Sequence, residues 1–220
     1  MLKVKSVSKI YKKRDQEVKA IDNVSLEIPK GDFVSIIGPS GSGKSSLLLM
    51  LGGMLSPSLG KVFIDDESLY DLSPNEIAAL RQKKMGFVFQ TFNLIPYLSA
   101  IQNVQLPLLL GGLQAKDQVE KAKYLLERVG LDDRMDHKPS ELSVGQQQRI
   151  ALARMLANDP SIILADEPTG NLDPEMSQTV IKFLIELNKE GRTIVMVTHD
   201  MKVANQAKRS VTISKGGTIG

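Results

Sequence analysis

The sequence predicts an α/β fold with three parts: a mainly parallel sheet core, an antiparallel β region at the N-terminal end, and an α-helical block inserted between two core strands. Three observations carry this. Short apolar, β-leaning runs at Phe33–Ile37, 162–164 and Thr193–Val197 each precede a helical pattern. Residues 2–10 and 18–28 read as strands with turn chemistry between them. From about residue 91 to 159 the texture is helical, with no convincing strand.

Taken in order, the run Phe33–Ile37 ends in a glycine-rich turn, and a helix pattern follows over 44–51. Residues 61–64 read as a strand. Ser73-Pro74-Asn75-Glu76 is a capping box with proline at the first helical position, so a helix opens there. Residues 86–89 are strand-like. The apolar stretch 104–110 is ambiguous between strand and helix. There is no internal repeat and no low-complexity linker. At 220 residues the chain suits one domain carrying a subdomain. We expect a core formed by 1–90 and 160–220, with 91–159 as the helical subdomain.

Composition excludes several classes. Apolar content of 42% and charged content of 24% are ordinary globular values, which argues against disorder and coiled coil. With no cysteine, disulfides and cysteine-ligated metal sites are excluded. A net charge of +3, from 28 basic and 25 acidic side chains, is too balanced to suggest a nucleic-acid partner. The basic start (Lys3, Lys5, Lys9, Lys12, Lys13, Arg14, Lys19) reads as a solvated strand face rather than a lipid-binding surface. The longest apolar run, 47–55, has nine residues including two glycines, whereas a membrane span needs about 20. Met1-Leu2-Lys3 leads straight into a strand pattern, so no signal peptide is expected. The chain stops soon after Lys215-Gly216-Gly217, which is compatible with a trimmed tail.

Gly38-Pro39-Ser40-Gly41-Ser42-Gly43-Lys44-Ser45 fits G-x-x-x-x-G-K-[ST] at every fixed position, between a strand and a helix. Glycines let successive N–H groups converge on phosphate oxygens, and the helix N-terminus adds partial positive charge. Lys44 is expected to reach the terminal phosphates and Ser45 to hold Mg²⁺, with Ser46 following in the same turn. Asp166 and Glu167 end the apolar run 162–165, where ligands of parallel sheets bind. Asp166 is the expected metal ligand. Glu167 points elsewhere and is placed to orient or deprotonate an attacking water. Leu142-Ser143-Val144-Gly145-Gln146 contains a capping box and starts a helix ending near Ala157; such a terminus is also an anion site. Of the remaining charged residues, His137 reads as a structural turn histidine. Arg149 and Arg154 read as members of surface or interface ion pairs, and Leu108-Leu109-Leu110 as core.

Together these motifs resemble the ATP-binding cassette (ABC) family over essentially the whole chain. The phosphate loop makes the expected fold a P-loop NTPase (RecA-like) core. The resemblance implies ATP and Mg²⁺ as ligands. It assigns Gln90 as a γ-phosphate sensor and metal ligand, His199 as the switch histidine, Tyr11 as the aromatic that stacks on adenine, and Asn171-Leu172-Asp173 as a dimer-contact loop. It implies catalytic roles for Lys44, Gln90, Glu167 and His199, and it matches 142–146 to the family's signature, with Ser143, Gly145 and Gln146 expected to bind nucleotide. The family usually has glycine where Val144 stands, so some crowding of the nucleotide is expected.

The family works as a homodimer with two ATP molecules sandwiched between a phosphate loop and the opposite signature. Residues 91–96, 103–107, 137–139, 146–149 and 168–173 resemble the branch of macrolide-export, lipoprotein-release and cell-division ATPases. That implies a membrane permease partner with four transmembrane helices, no nucleic acid, and a place on the cytoplasmic face of the membrane. The partner is expected near residues 90–98, with part of Phe92, Leu94, Ile95, Tyr97 and Leu98 exposed. A soluble P-loop ATPase acting as a switch, and a small-molecule kinase, are the competing readings.

Overall fold

A computed structural model describes residues 1–13 and 16–214. Arg14 of the basic stretch, and the end of the chain from Lys215, lie outside the described residues. The strands are β1 (Leu2–Lys13), β2 (Gln16–Ile28), β3 (Phe33–Ile37), β4 (Leu59–Ile64), β5 (Glu67–Ser68), β6 (Met85–Phe89), β7 (Ile162–Asp166), β8 (Thr193–Val197) and β9 (Arg209–Thr212). The helices are α1 (Lys44–Leu51), α2 (Pro74–Lys84), α3 (Ala100–Leu110), α4 (Ala115–Arg128), α5 (Val144–Leu156), α6 (Pro174–Lys189) and α7 (Met201–Ala204).

Two sheets form, as the sequence predicts. The first is antiparallel, in the order β2-β1-β4-β5. The second is parallel, in the order β6-β7-β8-β3-β9. Its central strands are buried on both faces, so side chains alternate between two cores. Ile163, Ala165, Ile194 and Met196 face one core, shared with α3, α4, α5 and α6. Ile162, Leu164, Val195 and Val197 face the other, shared with α1 and the antiparallel sheet. The helical segment thus packs its apolar residues against one face of the parallel sheet.

The ambiguous stretch 104–110 is helical: it is most of α3. Ser99 caps that helix and Gln102 returns the bond in a capping box. Pro107 sits inside, where it cannot donate to the carbonyl four residues back. Only Leu108 of the leucine run is core; Leu109 and Leu110 are exposed, which corrects the expectation for the run. Strand β9 has no counterpart in the sequence reading. Three residues of the basic N-terminal stretch form ion pairs, Lys3 with Glu27, Lys12 with Glu17 and Lys19 with Asp22, while Lys9 Nζ donates to the Ser56 carbonyl. His137 is a turn residue, its N–H donating to the Arg134 carbonyl and its carbonyl accepting from Ala100.

Arg149 and Arg154 differ from expectation. Neither makes an ion pair among the described residues; both bond backbone carbonyls. Arg149 Nη1 donates to the carbonyls of Val129 (3.1 Å) and Gly130 (3.0 Å), just past the end of α4. Unsatisfied carbonyls at a helix C-terminus are a natural seat for a cation.

Candidate nucleotide site

Four loops leave the carboxyl ends of β3, β6, β7 and β8, on the same edge of the parallel sheet. They form a 440 Å³ cleft lined by Ala20, residues 40–46, Gln90, Glu167 and His199.

The phosphate loop is shaped by close approach. Gly38 has φ 154°, and a Cβ there would lie 2.1 Å from the Ile213 carbonyl oxygen, just past β9. Gly43 has φ 93°, and its Cβ would lie 2.1 Å from the Ala20 carbonyl oxygen on β2. Both glycines are therefore dictated by neighbouring backbone. At Gly41 nothing lies within 4 Å of an added Cβ, so the cradle is open on that side. Gly43 is the N-cap of α1 and offers no side-chain cap, which leaves the first-turn N–H groups free for an anion. Ser42 Oγ is buried and has no hydrogen-bond partner among the described residues. Lys44 Nζ donates to the carbonyls of Gly38 (2.8 Å) and Pro39 (2.9 Å). An open loop of amides, an orphaned hydroxyl and a lysine held by neutral carbonyls all fit a polyphosphate.

Ser45 Oγ donates to Asp166 Oδ1 at 3.0 Å. A hydroxyl beside a carboxylate, with Gln90 in the same cleft, is an all-oxygen donor set of the kind Mg²⁺ takes. Burial pushes the Asp166 carboxyl above its ordinary value and the neighbouring Glu167 charge adds to this; Ser45 and Lys44 oppose it. A cation at this position would relieve the same penalty.

Glu167 follows with φ 46°, a left-handed conformation costing about 1–3 kcal/mol in a non-glycine residue. Its N–H donates to the Val197 carbonyl at 2.9 Å. This turn separates the two carboxylates. Asp166 stays with Ser45, while Glu167 Oε1 lies 2.8 Å from His199 Nδ1. Gln90 is braced by Asn171: Asn171 Nδ2 donates to the Gln90 carbonyl at 2.9 Å, and Gln90 Nε2 lies 3.5 Å from Asn171 Oδ1.

Other residues named from the sequence stand outside this cleft. Tyr11 is on β1, 44% exposed, with Lys9 Nζ 5.4 Å from its ring; it belongs to the same hairpin as Ala20 but does not line the cleft. Ser143 caps α5, accepting from Gln146 N at 3.2 Å, while Gln146 returns a bond to Ser143 N at 2.9 Å. Val144, first in the helix, is half-exposed. Gly145 is buried against α6, where a Cβ would meet Met176 Cε at 2.5 Å. Asp173 caps α6, accepting from Met176 N at 2.9 Å. So the signature and the cleft of one chain do not meet.

Sequence reasoning missed three contributors. Ala20 walls the phosphate loop through its backbone. Gln148, fully buried on α5, donates to the Pro168 carbonyl at 2.8 Å, next to Glu167. Arg154 Nη1 donates to the Asn93 carbonyl and Nη2 to the Phe92 carbonyl, both at 2.7 Å. No spacing in the sequence signals any of these.

A phosphate loop, a serine–carboxylate pair beside it and a second carboxylate paired with histidine are the parts of a nucleoside-triphosphate-hydrolysing site. Comparison with known proteins agrees. The family model described as ABC transporter matches residues 21–170. A macrolide export ATP-binding/permease protein of Hyphomonas neptunium is 47% identical over 219 residues, covering 100% of this chain and 34% of that protein. An uncharacterized ABC transporter ATP-binding protein of Thermotoga maritima is 46% identical, covering 98% of this chain and 92% of that one. Among solved structures, the dimeric MJ0796 cassette superposes with a TM-score of 0.93 at 45% identity, covering 100% of this chain and 96% of that one. A second MJ0796 structure, a dimeric post-hydrolysis state bound to ADP and Pi, matches at 44% identity and the same TM-score. The chain belongs to the ABC transporter family, as an ATP-binding, ATP-hydrolysing cassette with the P-loop NTPase fold. It spans about a third of the length of the macrolide-export relatives it matches and nearly all of the stand-alone ATP-binding relatives.

Proposed function

We propose that this cassette works as a homodimer with two sandwiched ATP molecules, and that it drives export or force transmission through a separate membrane permease. The observation that carries this reading is the division of the site. Lys44, Ser45, Gln90, Glu167 and His199 share one cleft, whereas Ser143, Gly145 and Gln146 sit elsewhere on the same chain. A second copy turned by a two-fold axis brings its signature to the open side of the first copy's phosphate loop.

In this reading residues 38–46 hold the phosphates and Tyr11 the adenine. Ser45, Gln90 and Asp166 hold Mg²⁺, which when bound neutralises charge on the phosphate oxygens. Lys44 leaves the Gly38 and Pro39 carbonyls for the terminal phosphates. Glu167 accepts a proton from the attacking water, and His199 keeps that carboxylate oriented and faces the γ-phosphate. The partner's Ser143 and its amides close the site, and Asp173 lies in the loop that meets the other copy. Residues 91–159 form the signature subdomain within a single nucleotide-binding domain spanning 1–220.

The membrane partner, expected to have four transmembrane helices, docks beside the segment after Gln90. None of Phe92, Leu94, Ile95, Tyr97 and Leu98 is fully buried, and Tyr97 is 73% exposed. Next to them a 680 Å³ groove is lined by Met54, Ala78, Phe87, Phe89 and Leu110. No helix among the described residues is long and apolar enough to cross a membrane, so a place at the cytoplasmic face comes through the partner. Two of the relatives support this: the macrolide export proteins of Hyphomonas neptunium and Escherichia coli are ATP-binding/permease proteins. No nucleic acid takes part. Capture of tagged Glu167→Gln protein from native membranes with ATP and Mg²⁺ tests the proposal. A co-purifying protein with about four spans of about 20 apolar residues supports it. Recovery of soluble proteins alone leaves an ATPase switch without transport.

A further inference from the structure

We propose that Arg154 is a positioning residue for hydrolysis: its guanidinium holds the segment after Gln90 in a left-handed shape that keeps Gln90 in the cleft. Phe92 and Asn93 have φ 59° and 50°. Two consecutive non-glycine residues in that region are unusual, and for an aromatic residue the conformation is an outlier. Such strain persists only where the surroundings impose it. Arg154 supplies the constraint, with one guanidinium nitrogen on each of the two adjacent carbonyls. A planar fork matches that pair of acceptors, and an ammonium cannot span them in the same way.

The other side of Gln90 is fixed as well. Asn171 donates to its carbonyl, and Gly170 leaves room for its amide: a Cβ there would lie 2.8 Å from Gln90 Nε2. Gln90 is therefore held directly by Asn171, and the residues two and three positions further on, Phe92 and Asn93, are held by Arg154. Arg154 lies in the last turn of α5, and Ser143 caps the first. The two are about 16 Å apart along the helix, at about 1.5 Å per residue. Midway, Gln148 grips the Pro168 carbonyl beside Glu167. One rigid helix thus holds both the γ-phosphate loop and the loop of the catalytic carboxylate, and presents the signature at its other end. Arg154 also lines the groove assigned above to the membrane partner.

This inference rests on Gln90 serving the γ-phosphate. The test measures kcat, KM for ATP, thermal melting and hydrogen exchange of amides 90–94 in the full chain. With Arg154→Met, kcat falls about tenfold while KM changes less than about twofold, and amides 90–94 exchange faster in the absence of ATP. Adding Phe92→Gly, which removes the cost of a left-handed φ, restores kcat to within about threefold of Phe92→Gly alone. Arg154→Lys gives an intermediate kcat, and serves if the methionine variant does not fold. The inference is overturned if both Arg154 variants keep kcat within about twofold of the parent. It is equally overturned if Phe92→Gly brings no recovery and exchange at 90–94 is unchanged. Gln90→Ala, run alongside, separates the two levels. If that variant retains full kcat, the reading of Gln90 fails; if it loses kcat and the Arg154 variants do not, only the role of Arg154 fails.

Discussion

Glu167 and His199 meet beyond the last paired residues of two neighbouring strands. Asp166 of β7 is in register with Val197 of β8, and one and two residues later the side chains touch, Oε1 to Nδ1, at 2.8 Å. The left-handed turn at Glu167 makes this possible, since it swings that carboxylate away from the Ser45–Asp166 pair. His199→Ala is expected to lower kcat by about 10²-fold or more. Because the ring is mostly exposed, melting should reflect a change within about 0.5 kcal/mol. Steady-state hydrolysis and a thermal scan of the same sample check both halves.

The glycines of the phosphate loop should not be equivalent. Gly43→Ala places a Cβ 2.1 Å from the Ala20 carbonyl at φ 93°, so β2 and the loop must separate. Loss of ATP binding and destabilisation beyond about 3 kcal/mol are expected. Gly41→Ala has φ 75° but open space, so only the backbone cost of about 1–2 kcal/mol applies. Calorimetric ATP titration and denaturant unfolding of the two variants distinguish them.

Asn103 is a buried fastener for the segment leading into α3. Its Oδ1 accepts from Ile95 N, and its Nδ2 reaches the carbonyls of Ile95, Leu98 and Ser99. Asn103→Ala leaves those groups without their partner, and a loss of about 2–4 kcal/mol is expected in urea unfolding.

Acid should loosen the ties from the turn after β4 to the end of α2 and to the Met1 amine. Lys84 and the Met1 amine hold the Asp65 carboxyl down to about 2, from an ordinary 3.8. A depressed carboxylate stabilises the fold above its unfolded value and loses that contribution as pH falls through the folded one. The window therefore runs from about pH 4 to about pH 2. Since Asp65 is half-exposed, solvent screening limits the effect to under about 1 kcal/mol. Asp65→Asn should show that small loss at neutral pH and a flatter stability profile in the window.

Much of this was legible beforehand, and the exceptions share a cause. The phosphate loop, the acidic pair and the capping boxes at Ser73 and Ser143 are local patterns, each tied to a backbone conformation the residues themselves favour. Stretch 104–110 stayed ambiguous because its leucines and Pro107 mask the period, although Ser99 and Gln102 offered a capping box that would have identified the helix. Strand β9 is short and exposed at two of its four positions. The ties made by Asn103, Gln148 and Arg154 run from side chain to backbone, so the acceptor leaves no trace in residue identity. For Arg154 the partners are also 61 and 62 residues away. Charge alone suggested ion pairs for Arg149 and Arg154; unsatisfied carbonyls at a helix end and in a left-handed turn claimed them instead.

We propose that Glu167 drives hydrolysis inside a dimer closed by ATP. Size-exclusion chromatography with light scattering of Glu167→Gln at saturating ATP, with turnover measured on the same sample, tests it most directly. The expected result is a dimer that retains ATP and turns over at least about 10²-fold more slowly than the parent. A monomer under those conditions, or turnover at the parental rate, would contradict it.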